Sequence, residues 1–205
     1  MLNIVKNILA WADKEPMPRD EWHTFHAENI CRLESQIEQQ GGLKLRNINY
    51  LINPPKDIAP RLGVLTDFLL SLADSLEYHP YIVGHVITMS MSNKAIVRKQ
   101  NLFHCLHDWY LAVPPREKIY NRQAGSVGVG LANALLGHFT WDNFDKMRAL
   151  IKNDALGDSR LILLDAFKRS LHKENVQQLL LEIKDNPPFV YEANRYLKLI
   201  AKKAK

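Results

Sequence analysis

Two stretches of the chain, IKNDALGDSRLILLDAF (residues 151–167) and IKDNPPFVYEANRYLKLI (residues 183–200), share one pattern. In each, an amphipathic segment ends at an acidic or amide turn, and a second amphipathic segment follows. Aligning Asp154 with Asp185 separates the two copies by 31 residues, and aligning Ile151 with Ile183 separates them by 32. Helical pairs that recur at this interval are typical of stacked repeats, in which each pair buries its apolar face against its neighbour.

Apolar residues follow helical spacing in almost every other segment. The clearest case is residues 60–78, where five leucines recur at alternating steps of three and four. Residues 20–40 form a similar stripe, and Gly41-Gly42 predicts where that helix ends. No alternation of apolar and polar residues joined by hairpin turns is present. The predicted fold class is therefore all-α, with about ten helices.

Prolines and glycines fall between the predicted helices rather than inside them. Proline pairs stand at 54–55, 114–115 and 187–188, and proline fits the first turn of a helix but disrupts its interior. No linker or low-complexity segment divides the chain. The sequence therefore predicts a single helical-repeat domain over residues 1–205.

The net charge of +5 has a definite location. Five of the 27 basic residues lie between Ala193 and Lys205, a segment without an acid, which leaves 22 basic residues against 22 acidic ones elsewhere. Cations at the carboxyl end of a helix stabilise its dipole. A nucleic-acid-binding domain usually carries a wider basic stripe, so the charge favours a helix end over a nucleic-acid tail.

The compartment is predicted from what the sequence does not contain. The amino terminus resembles an amphipathic helix rather than a signal peptide, and no stretch approaches the ~20 apolar residues of a membrane span. Cys31 and Cys105 do not make a disulfide framework. We expect buried free thiols in a cytoplasmic protein without a membrane partner.

Residues 120–200 resemble the HEAT or HEAT-like repeat family. The resemblance is carried by Asp154 with Arg160 in the next helix, by the Asp185 turn, and by the small-residue segment GSVGVGLANAL (residues 125–135). The second copy departs from it, since Tyr191 or Glu192 stands where the arginine would fall, and residues 1–110 fit loosely. The resemblance implies a short right-handed α-solenoid of antiparallel helix pairs whose concave face binds other proteins.

The glycines at 125, 128 and 130 suggest two interpretations. A phosphate-binding loop would need a GxGxxG order or a following Lys-Ser/Thr, and a preceding strand; none of these is present. Glycines along one helix face instead let a neighbouring helix approach closely, and this is the interpretation that the sequence favours.

Histidines at helical spacing are the nearest approach to a metal site. They are the pairs His23 with His26 and His104 with His107, the second flanked by Cys105 and Asp108. No HExxH motif and no repeated Glu-x-x-His pair accompanies them. We therefore predict no metal, no cofactor and no catalytic residue.

The predicted function is a non-catalytic protein-binding scaffold or adaptor. The inner helices of the two copies would run through residues 142–152 and 173–184, and their polar positions are the candidate contacts with a partner protein: Arg148, Lys152, Gln178 and Lys184. One alternative, implied by the HEAT-like resemblance, is a nucleic-acid-binding protein or a DNA glycosylase for alkylated bases, for which Asp108-Trp109 is the available acidic and aromatic pair. A structural subunit of a larger complex is the other alternative.

Overall fold

The computed structural model describes residues 2–115 and 127–203, and within these residues it contains twelve α-helices and no β-strand. The predicted all-α class is confirmed for this part of the chain. The helices are α1 (Asn3–Ala12), α2 (Arg19–Gly41), α3 (Ala59–Val64), α4 (Thr66–Ala73), α5 (Pro80–Ile82), α6 (Lys94–Lys99), α7 (Phe103–Ala112), α8 (Val127–His138), α9 (Phe144–Lys152), α10 (Arg160–Leu163), α11 (Glu174–Ile183) and α12 (Val190–Lys203).

A π-helical segment and short 3₁₀ turns complete the fold. Helix α5 continues directly into a π-helical segment, Val83–Thr88. Single 3₁₀ turns lie at Ile48–Leu51, Trp141–Asn143, Asp154–Leu156 and Leu164–Phe167. The chain divides into two compact units, Met1–His138 and Phe139–Lys205, and each is described separately below. The single domain over residues 1–205 stays a prediction.

Helix α2 follows the sequence prediction closely. Asp20 and Glu21 lie in its first turn, where carboxylates stabilise the positive end of the helix dipole. Leu33 and Ile37 are buried on its inner face. The helix ends because Gly42 adopts a left-handed conformation (φ 62°) and donates its N–H to the Glu38 carbonyl at 3.1 Å.

The prediction of one continuous helix over residues 60–78 is wrong. The chain breaks at Leu65, between α3 and α4, and α4 ends at Ala73. At the break the buried Thr66 hydroxyl donates to the Gly63 carbonyl at 2.9 Å, a local bond that competes with the helical ladder. Leu76, the last residue of the predicted stripe, is 58% exposed.

The core of the first unit contains a close crossing between α8 and the π-helical segment. A Cβ atom on Gly130 would lie 1.9 Å from the Thr88 hydroxyl oxygen and 2.0 Å from the Gly84 carbonyl oxygen, so no larger residue fits. At the end of α8 the buried His138 ring accepts the Leu102 backbone N–H at 3.1 Å and lies 2.9 Å from the Met91 carbonyl. Of the three glycines considered in the sequence, Gly130 is therefore one that lets a neighbouring helical segment approach closely.

The second unit has an apolar core of its own. Helix α9 buries Met147 and Ile151, and α11 buries Val176, Leu180 and Ile183. In α12, Tyr196 is buried while Val190 is 46% exposed. The first unit and the second alike contain no described helix with the length and apolar character of a membrane span.

Candidate functional site

A buried arginine organises the first of the two turns in the second unit. Arg160 is 3% exposed, and its guanidinium donates to the Gly157 carbonyl at 2.8 Å and to the Ile151 carbonyl at 3.1 Å. The same group donates to the Asp154 carboxylate at 2.6 Å. Its central carbon also lies 5.2 Å from the centre of the Phe189 ring. One side chain thus satisfies two turn carbonyls and pairs with a carboxylate, which requires the planar fork of arginine.

The two turns are joined by a hydrogen bond between side chains. Asn186 donates its amide to the Asp154 carboxylate at 3.2 Å. This bond, followed by the hydrogen bond and charge of Arg160, lowers the pKa of Asp154. The sequence alignment paired Asp154 with Asp185, but Asp185 is exposed and lies only near Lys184, at 3.8 Å. The residue that connects the copies is therefore the neighbouring asparagine.

Two of the four candidate partner contacts converge on one carboxylate. Arg148 and Lys152 of α9 both form ion pairs with Glu182 of α11, the lysine at 3.0 Å. Hydrogen bonds from these two cations lower the pKa of Glu182. Gln178 is exposed one turn before Glu182, on the same side of α11. The sequence interpretation missed Glu182, which neutralises one of the two cations on this surface.

Lys184 is separate from the other three candidates. It follows the end of α11, and its backbone carbonyl accepts a hydrogen bond from Asn194 of α12 at 3.2 Å. Its ammonium group is 3.8 Å from Asp185. Lys184 therefore belongs to the connection between α11 and α12 rather than to the described ion pairs of Glu182.

The second unit also contains a cleft that was not predicted from the sequence. It encloses about 660 Å³, and the described residues that line it are Lys168, Arg169, Leu171, His172, Gln177, Leu199 and Ile200. The volume is within the range of ~300–1,000 Å³ that is usual for binding pockets. The run KRSLHK at residues 168–173 was the sequence signal that could have indicated it.

The cleft combines apolar side chains with positive charge. Leu199 is 44% exposed, although it is a large aliphatic residue. Lys168 is paired with Asp165 at 2.7 Å, and that hydrogen bond is the main cause of its raised pKa. Arg169 has no ion-pair partner among the described residues, and no carboxylate is among the described lining residues. The surface can accept an apolar side chain next to an anionic group.

Other sites that the sequence raised have no support from the geometry of the described residues. No group of three or more His, Cys, Asp or Glu side chains in residues 2–115 and 127–203 is arranged to hold a metal ion. Asp108 is exposed, whereas Trp109 is buried at 7% exposure, so the two side chains do not share one surface. Gly125 and Ser126 of the glycine-rich segment, and Lys205 of the basic end, lie outside the described residues.

Comparison of the chain with protein-family models, with curated proteins and with solved structures gives no match.

Proposed function

We propose that the chain is a non-catalytic protein-binding scaffold of HEAT-like character, a short right-handed solenoid of helix pairs in the cytoplasm. The proposal is supported by the order of helix, turn and helix that occurs twice in the second unit. The bond between Asn186 and Asp154 supports it as well, because it ties one turn to the next. Linked repeats of this kind present extended surfaces to other proteins.

The single observation that carries the proposal is the cleft lined by Arg169 and Leu199. Its exposed leucine offers apolar surface to a partner, and the Arg169 guanidinium, which has no ion-pair partner in the part of the chain that the structure describes, offers a charge-assisted hydrogen bond. A segment that places an apolar side chain beside a glutamate or aspartate has the complementary chemistry. The partner is therefore an acidic amphipathic segment of another protein, and the patch around Glu182 is a second contact on the same unit.

The test uses three labelled peptides of equal length. The first alternates leucine with glutamate, the second replaces each glutamate with lysine, and the third keeps the glutamates but replaces each leucine with serine. Fluorescence anisotropy at physiological salt should show binding of the first peptide alone. Raising the salt concentration should weaken this binding, since part of it is electrostatic.

Variants of the protein locate the binding. Arg169→Ala should weaken the binding of the acidic peptide about two- to fivefold, the usual effect of one exposed charge contact. Leu199→Asp should weaken this binding further, because the substitution removes apolar surface and its carboxylate repels those of the peptide. Arg46→Ala is the matched control, since Arg46 is an exposed arginine of the first unit. Equal affinity for all three peptides, or equal loss in Arg46→Ala and Arg169→Ala, would refute the proposed site.

A further inference from the structure

A second cleft lies entirely within the first unit. It encloses about 340 Å³ and is bordered by the end of α1, the middle of α2 and the segment before α5. Trp11, Phe25, Asn29 and His79 are among its lining residues. The volume is at the lower end of the range for small-molecule pockets, about 300 Å³. Nothing in the protein-binding proposal uses this cleft.

His79, one of the residues that line this cleft, carries a buried hydrogen-bond donor. The residue is 2% exposed, and its Nδ1 atom accepts the backbone N–H of Tyr81 at 2.9 Å. Since a backbone N–H can only donate, the proton of the neutral ring is on Nε2. Nε2 is buried and has no hydrogen-bond partner among the described residues. Buried polar atoms almost always have a partner, so this donor requires an explanation.

Aromatic rings surround the His79 ring, and none of the described residues accepts a hydrogen bond from its Nε2 atom. The centre of its ring lies 4.3 Å from that of Trp11, 5.1 Å from that of Trp22 and 5.6 Å from that of Phe25. All three contacts are close to perpendicular, with interplanar angles of 64° to 78°. An aromatic face is a weak acceptor compared with an oxygen or nitrogen lone pair. A ligand acceptor would therefore be favoured at Nε2.

Charges around the cleft balance one another. The Arg32 guanidinium donates to the Glu77 carboxylate at 2.7 Å, which cancels two of the charges in the lining. Glu28 adds a carboxylate, while the Lys14 ammonium lies 4.0 Å from the centre of the Trp11 ring. Asn29 uses its amide N–H on the Phe25 carbonyl at 2.8 Å, which leaves its amide oxygen as an acceptor. The site therefore suits an uncharged ligand.

We propose that this cleft binds a small, uncharged, planar heteroaromatic molecule that accepts a hydrogen bond from Nε2 of His79. Its ring would pack against the aromatic side chains, as planar rings do in pockets of this composition. A ring nitrogen or carbonyl group would supply the acceptor that His79 lacks. The lowered pKa of His79, about 4 and caused mainly by burial, keeps the ring neutral and its Nδ1 atom available to Tyr81.

Benzimidazole and indole make a matched pair of probes for the site. The two molecules have almost the same size and shape, but only benzimidazole carries a ring nitrogen that can accept a hydrogen bond. Titration followed by nuclear magnetic resonance should show benzimidazole binding about three- to tenfold more tightly than indole, the effect expected for one neutral hydrogen bond. The ¹⁵N resonance of His79 Nε2 should shift with benzimidazole and remain in place with indole.

Substitution of the histidine separates the hydrogen bond from the aromatic packing. In His79→Phe, the affinities for benzimidazole and indole should become equal, because the Nε2 donor is lost while the aromatic ring is kept. His104→Phe, at an exposed position of α7 outside the residues given as lining either cleft, should leave the difference unchanged. If His79→Phe does not fold, the paired titration and the Nε2 resonance of the unmodified protein still decide the question. The proposal is overturned if neither probe binds at millimolar concentration, or if both bind equally to the unmodified protein.

Discussion

The packing of the first unit leaves no room for a side chain at Gly130. Replacing it with alanine would place a methyl group 1.9 Å from the Thr88 hydroxyl oxygen and 2.0 Å from the Gly84 carbonyl oxygen. Alanine is favoured over glycine inside a helix by roughly 1 kcal/mol, but overpacking against backbone costs about 3 kcal/mol or more. Gly130→Ala should therefore lower the free energy of unfolding, as measured by urea denaturation.

Gly137 is the matched control on the same helix. A Cβ atom there would lie 3.0 Å from the Ser92 Cα atom and 3.2 Å from the Ser92 carbonyl oxygen, a much milder contact than the one at Gly130. Gly137→Ala should change stability by less than about 1 kcal/mol, because helix propensity offsets the mild contact. If the two variants had equal stability, the close crossing at Gly130 would be disproved.

His79 should make stability depend on pH. Burial, followed by the charges of Lys14 and His26, lowers the pKa of His79 from 6.5 to about 4. The folded protein therefore binds fewer protons than the unfolded chain between these values, and its stability falls as the pH is lowered from 6.5 towards 4. The loss attributable to His79 is on the order of 2–3 kcal/mol.

The measurement is urea denaturation at several pH values between 4 and 8. His138, whose pKa is also lowered by burial, contributes a slope of the same sign. His79→Phe should therefore flatten the pH dependence without abolishing it. His172→Gln should retain the slope of the unmodified protein. An unchanged slope in His79→Phe would show that His79 is not the buried titrating group.

At the scale of elements, the second unit depends on apolar contacts between its short helices. Leu164 and Leu180 are 1% and 0% exposed, and they belong to the 3₁₀ turn Leu164–Phe167 and to α11. Truncating either leucine to alanine should cost about 2–5 kcal/mol, through lost burial and the cavity that remains. Denaturant unfolding of each variant measures this cost.

Gln178 provides the control for both leucines, since it is an exposed residue of α11. Gln178→Ala should change stability by no more than roughly 0.5 kcal/mol. Lys173 is less suitable, because its ammonium group lies 3.6 Å from the centre of the Trp141 ring. Leucine variants that unfold at the same urea concentration as the unmodified protein would contradict a packed arrangement of these two elements.

At the scale of the whole molecule, the charge distribution separates a protein-binding scaffold from a nucleic-acid-binding protein. The positive excess lies between residues 193 and 205, and within it Arg195 is paired with Glu192 at 2.5 Å. Because the excess is confined to this short segment instead of forming a wide basic stripe, duplex DNA should bind more weakly than about 1 µM at physiological salt, with a shallow salt dependence. Fluorescence anisotropy with a labelled 20-base-pair duplex checks this expectation.

Deleting residues 202–205 should remove most of the residual DNA binding. Replacing Lys202, Lys203 and Lys205 with glutamine in the full-length chain is the control, since it removes the charge while keeping the length. The two variants should behave alike. Sub-micromolar binding that survives both changes would favour the nucleic-acid-binding alternative over the scaffold.

The sequence by itself determined the features that depend on local spacing and local geometry. Apolar periodicity predicted the all-α class, Gly41-Gly42 predicted the end of α2, and residue type indicated the turn at Asp154, while its association with Arg160 was implied by the HEAT-like resemblance. The helices predicted over residues 142–152 and 173–184 correspond to α9 and α11. Such features are encoded within a few turns of the chain, where side-chain direction follows from helical geometry.

Only the tertiary structure decided features that depend on which distant groups meet. Helical spacing made Arg148 and Lys152 candidate contacts with a partner protein, but Glu182, 30 residues beyond Lys152, pairs with both. The break at Leu65 depends on a hydroxyl that bonds its own turn, and the unpartnered Nε2 of His79 depends on rings contributed by α1 and α2. Burial and pairing of this kind are properties of three-dimensional neighbours, which helical periodicity does not specify.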